Sequence, residues 1–86
     1  MSEPVTPETL TDEMVRALLE TLQGEASRIQ HLPVMERYGA LAKITALRYS
    51  AGVAMAGRRA HRRDSRAAAR QRIADAINAR RAKEQP

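Results

Sequence analysis

Apolar residues begin to recur with helical spacing at Met14. At ~100° per residue, Met14, Val15, Leu18, Leu19 and Leu22 share one arc of roughly 140°. Ala26, Ile29 and Leu32 extend that arc, whereas Gly24 points away from it. The phase therefore predicts one helix from about 12 to 31 that runs through the glycine at a cost of ~1 kcal/mol against alanine. A break at Gly24 is the alternative. Thr11 reads as the N-cap, with Asp12 and Glu13 in the first turn where the helix dipole favours acids. Leu10 is placed to staple onto Val15. The stretch before it is polar and carries Pro4 and Pro7, which predicts a flexible tail over residues 1–10.

Pro33 removes a hydrogen bond from a helix interior but suits a first helical position, so a second helix is expected to start there. On it Ala40, Leu41, Ile44, Leu47, Ala51, Ala54 and Met55 share one arc, while Tyr38, Ala42, Tyr49 and Val53 lie toward the other side. A helix apolar on two faces calls for two partners. One is expected to be the first helix, folded back as an antiparallel hairpin. The other is expected to be a second copy of the chain, with Tyr38, Ile44, Leu47, Ala51 and Met55 as the candidate oligomer interface. Residues 11–56 then form a hairpin and oligomerisation core. The fold class expected is all-α, a hairpin plus a basic C-terminal helix, completed by dimerisation.

From Gly57 to Arg72 the sequence is GRRAHRRDSRAAARQR, with seven arginines and one acid. In a continuous helix Arg58, Arg59, Arg62, Arg63, Arg66 and Arg70 gather within roughly 140°, and Ile73 and Ile77 fall on the same side. One face cannot be both core and arginine surface. Either it changes role near Arg70, or the chain turns near Gly57 or Asp64-Ser65. The turn near Asp64 is preferred, with a third helix from about 65 to 82 inside an Arg-rich segment 57–86.

Charge sharpens this picture. Residues 1–43 hold seven acids and four bases, or −3, and residues 44–86 hold eleven bases and three acids, or +8. A GC-rich coding sequence explains arginine over lysine, but not the clustering of arginine in one half. Guanidinium groups bind phosphate bidentately, and three- and four-residue spacing lets one helix face meet successive phosphates. The candidate nucleic-acid-binding residues are Arg58, Arg59, Arg62, Arg63, Arg66, Arg70 and Gln71. The bland alternative is a solvated basic face, or one that pairs with an acidic protein. No aromatic residue lies among these arginines, so contact with duplex backbone is favoured over stacking on single strands. A helix-turn-helix, with Arg66, Arg70 and Gln71 reading base edges, is a weaker form of the idea.

Other chemistry is scarce. The chain has no cysteine, phenylalanine or tryptophan and only two tyrosines. Disulfides and thiolate metal sites are therefore excluded, and the core must be aliphatic. Such a core is marginal for 86 residues, which again points to an oligomer. His31 and His61 have no acidic partner at ligand spacing. No phosphate loop, serine elbow or acid–base pair occurs. No enzyme activity, metal or cofactor is expected. The polar, acidic start does not read as a signal peptide, and Lys43 and Arg48 interrupt the most apolar stretch, so no membrane span is expected and a cytoplasmic setting is.

Leu10-Thr11-Asp12-Glu13-Met14-Val15-Arg16-Ala17-Leu18, with Arg66 to Arg70 and Ile73 to Arg80, resembles phrasing in small helical proteins of high-GC bacteria and their phages. The resemblance implies a phage or mobile-element setting and carries no site residues. The function expected is a small non-enzymatic DNA-binding or DNA-associated accessory protein. The alternative is a helical interaction or structural module, such as a phage assembly component or an adaptor for an acidic protein.

Overall fold

The computed structural model describes residues 3–55 and 63–84, with side chains from residue 66 onward in the second stretch. The described residues hold three helices and no strand: α1 (Asp12–Arg28), α2 (Val34–Met55) and α3 (Arg63–Glu84). No helix among them is long and apolar enough to cross a membrane.

α1 starts as its sequence demands. Thr11 is extended and its hydroxyl accepts from the Met14 amide at 3.2 Å, with Asp12 and Glu13 in the first turn. The helix runs through Gly24, and Val15, Leu18 and Leu22 are buried along its inner stripe. At Ile29–His31 it tightens into a 3-10 turn. That turn has three residues per turn, so the helical phase is lost. Leu32, expected to continue the stripe, is extended and 38% exposed. The Pro33 carbonyl then accepts the Arg37 amide at 2.9 Å, and α2 begins one residue later than the sequence suggested.

α2 packs on both of the other helices. Ile44, Ser50, Ala51, Val53 and Ala54 are buried along it, and Leu47 and Met55 pack against the same cluster. α3 contributes Ala69, Ile73, Ala74 and Ile77. Among the described residues, four of the thirteen buried apolar side chains are alanines. Small side chains let helix backbones approach closely, but each buries little area.

Two expectations change here. The face of α2 reserved for a second copy is filled from within: Ile44 and Ala51 are core residues, Leu47 and Met55 adjoin the core, and only Tyr38 of that candidate interface is exposed. The expected tail is also partly packed, because Val5 and Leu10 are each only 5% exposed and belong to the same core. Thr6 and Thr9 close the intervening turn, with Thr6 N–H donating to Thr9 Oγ1 at 2.9 Å and Leu10 N–H to the Thr6 carbonyl at 3.0 Å.

Candidate nucleic-acid interface

One register of α3 reads, from its C-terminal half backwards, Ile77, Ile73, Arg70, Arg66, Arg63, at steps of four, three, four and three, and its two isoleucines are buried in the core. The helix is continuous over these positions, so the stripe changes from apolar to arginine at residue 70 with no turn at Asp64-Ser65. Among the described residues α2 ends at Met55 and α3 starts at Arg63. Arg58, Arg59 and Arg62, together with the candidate turn at Gly57, lie outside the described residues.

Arg70 is the boundary residue, and the fold itself occupies it. Its Nε and Nη2 donate to the Pro7 carbonyl at 3.1 and 2.8 Å, and Nη2 also donates to the Leu10 carbonyl at 2.8 Å. Nη1 reaches the Ala54 carbonyl at the end of α2 at 3.5 Å. One guanidinium thus joins the N-terminal segment, α2 and α3. Its planar, forked donors make this possible where a lysine would supply only a point charge. Arg70 was expected on a phosphate-binding face. In the structure its donors already meet carbonyls of the same chain, so it is removed from that set.

Sequence reasoning gave no role to two other side chains that do comparable work. Asn78 pairs with Val5 as one peptide group pairs with another: the Val5 amide donates to Oδ1 and Nδ2 donates to the Val5 carbonyl, both at 2.8 Å. Arg80 forks onto Glu25, with Nη2 to Oε2 at 3.0 Å and Nε to Oε1 at 3.4 Å, and so ties α3 to α1. The signal for Arg70 was its phase: an arginine in register with Ile73 and Ile77 must either interrupt the core or find acceptors at its edge. For Asn78 and Arg80 no comparable signal was present.

The remaining candidates divide. Arg66 is exposed one turn before Arg70, in the same stripe. Gln71 is exposed on another side of α3, and its amide donates to Asp75 Oδ1 at 2.9 Å. Arg63 is the first residue of α3. Arg72 is exposed too and donates from Nη1 to the buried Ser50 hydroxyl at 3.4 Å. Arg66 and Gln71 therefore project from different sides, and with Arg70 occupied they do not form the three-residue base-reading surface of a helix-turn-helix. Arginines strung along the chain before and into α3 suit backbone contact instead. Among the described residues no group of three His, Asp or Glu side chains is placed to hold a metal ion. No protein family, curated protein or solved structure matches this chain.

Proposed function

We propose that this chain is a small DNA-binding or DNA-associated accessory protein, cytoplasmic and without catalytic activity, that grips duplex backbone through arginines. The supporting observation is the exposed Arg66 on the stripe of α3 that passes from core to arginine, with Arg58, Arg59, Arg62 and Arg63 immediately before it in sequence. Arg70 holds α3 against Pro7, Leu10 and Ala54, so Arg66 stands on an anchored helix. In this reading α1 and α2 form an antiparallel hairpin, and two copies of the chain associate.

A gel shift with random-sequence duplex tests the proposal. The wild type should shift the duplex at micromolar protein and low salt, and lose orders of magnitude in affinity between ~50 and ~200 mM salt as condensed counterions are no longer released so favourably. Changing Arg58, Arg59, Arg62 and Arg63 together to Ala should abolish the shift. An unshifted duplex with wild-type protein would sink the reading. A second reading, a helical interaction module, draws on a different observation: Met35, Tyr38 and Tyr49 stand 83%, 69% and 69% exposed on α2.

A further inference from the structure

Six positions on α2 recur at alternating steps of three and four residues: Met35, Tyr38, Ala42, Thr45, Tyr49 and Gly52. All six are exposed, on the side of α2 away from its buried residues Ile44, Ala51 and Ala54, and the buried Val53 borders this side at its C-terminal end. Five residues here, Met35, Tyr38, Tyr49, Val34 and Leu41, leave roughly 600 Å² uncovered at ~200 Å² per large side chain, against the ~800 Å² that each partner buries in a standard interface. An open groove of about 790 Å³ runs along this face between Tyr38 and Tyr49, with Arg72 at its rim.

Alternating steps of three and four are the spacing with which one helix packs along another. Here the order of steps is also the same read in either direction. A second α2 turned end for end brings Tyr38 opposite Tyr49, Ala42 opposite Thr45 and Met35 opposite Gly52, and each pairing occurs twice. Aromatic rings then meet near both ends of the seam. Small residues lie in the middle, where the backbones approach closest, and a flexible thioether covers the glycine. We infer that the occupant of this face is a second copy of the chain, packed antiparallel along α2 about a twofold axis at the level of residues 43 and 44. Such an interface is isologous: the same patch serves both partners.

Charge selects the orientation. Parallel pairing would set two arginine-rich runs side by side at one end. Antiparallel pairing separates the two Met55 ends by ~35 Å along the seam at 1.5 Å per residue, well beyond a screening length of ~8–10 Å. That separation is close to one turn of B-DNA, ~34–36 Å, so the dimer would set the two ends of α2 from which the Arg-rich sequence continues about one turn apart. Only this last step rests on the DNA-binding reading.

The chain has no cysteine, so single introduced thiols report the register cleanly. Under mild oxidation, a mixture of A42C and T45C should form the crossed disulfide well ahead of either variant alone. Sedimentation of the wild type should give two-chain mass at micromolar concentration. Y38A/Y49A should raise the dimer dissociation constant on the order of 100-fold or more while keeping wild-type helicity, because both rings are exposed within the chain. A one-chain mass at high micromolar concentration, or A42C joining preferentially to itself, overturns the inference. Neither measurement contains DNA. An intact crossed disulfide with no gel shift would remove the DNA reading and leave the dimer standing.

Discussion

Arg70 lies in register with Ile73 and Ile77, where a charge would be expensive unless its donors were met. They are met by main-chain carbonyls of Pro7, Leu10 and Ala54. Charge-assisted hydrogen bonds contribute more than neutral ones, and removing the donor leaves three acceptors short of partners. R70A should therefore destabilise the chain by about 2 kcal/mol, lowering the melting temperature by roughly 10 °C in a domain of this size. R70K keeps the charge but loses the fork, and should recover less than half of the loss. The exposed neighbour provides the control, since R66A should change stability by no more than ~0.5 kcal/mol. In the DNA reading the two arginines exchange roles: R66A lowers affinity and the salt slope, whereas R70A acts only through folding. Thermal melts beside salt titrations separate them, and equal effects of both variants on the salt slope would refute the division.

At the scale of elements, Gly24 is the clearest case of a residue that costs stability without an evident return. It is helical, its φ is not positive, and a Cβ built there would meet nothing within 4 Å. G24A should stabilise the chain by about 0.5–1 kcal/mol, read as a raised denaturation midpoint with an unchanged m-value. A destabilised G24A would mean that the glycine serves a contact outside the single chain. The same helix shows what was legible in sequence. Thr11, the stripe from Val15 to Leu22 and the passage through Gly24 follow from local capping and phase, which are properties of neighbouring residues. Leu32 was misplaced because a 3-10 turn alters the phase by a rule that side-chain polarity does not announce. Val5 was read as tail because its partner Asn78 lies 73 residues away, on α3, whereas Leu10 was placed against Val15 by its position before the cap. The candidate interface of Ile44, Leu47, Ala51 and Met55 failed for the same reason: phase identifies an apolar face of α2 but not which helix covers it. Of the candidate nucleic-acid site, the clustering of arginine was legible, and the diversion of Arg70 into the fold was not.

At the scale of the whole molecule, shape and charge point the same way. The chain measures 40 × 34 × 17 Å, with a radius of gyration of 13.8 Å against ~12 Å for a compact domain of this length. α2 packs on both other helices yet leaves one of its faces open, and large apolar side chains stand on that face. If two chains join antiparallel across it, the two Met55 ends of α2, from which the Arg-rich sequence continues, lie ~35 Å apart. A duplex of ~8 bp spans ~27 Å and is reached by one segment at a time, whereas one of ~20 bp accommodates both. The second contact is then intramolecular, so affinity per duplex should rise by at least ~10-fold from the short to the long fragment. In Y38A/Y49A, whose arginines are untouched, most of that gain should vanish while binding to the short fragment stays the same. Fluorescence anisotropy at one fixed low salt measures both. A gain that survives in the variant would show that each chain tracks the backbone alone, and that the spacing of the paired ends plays no part in the grip.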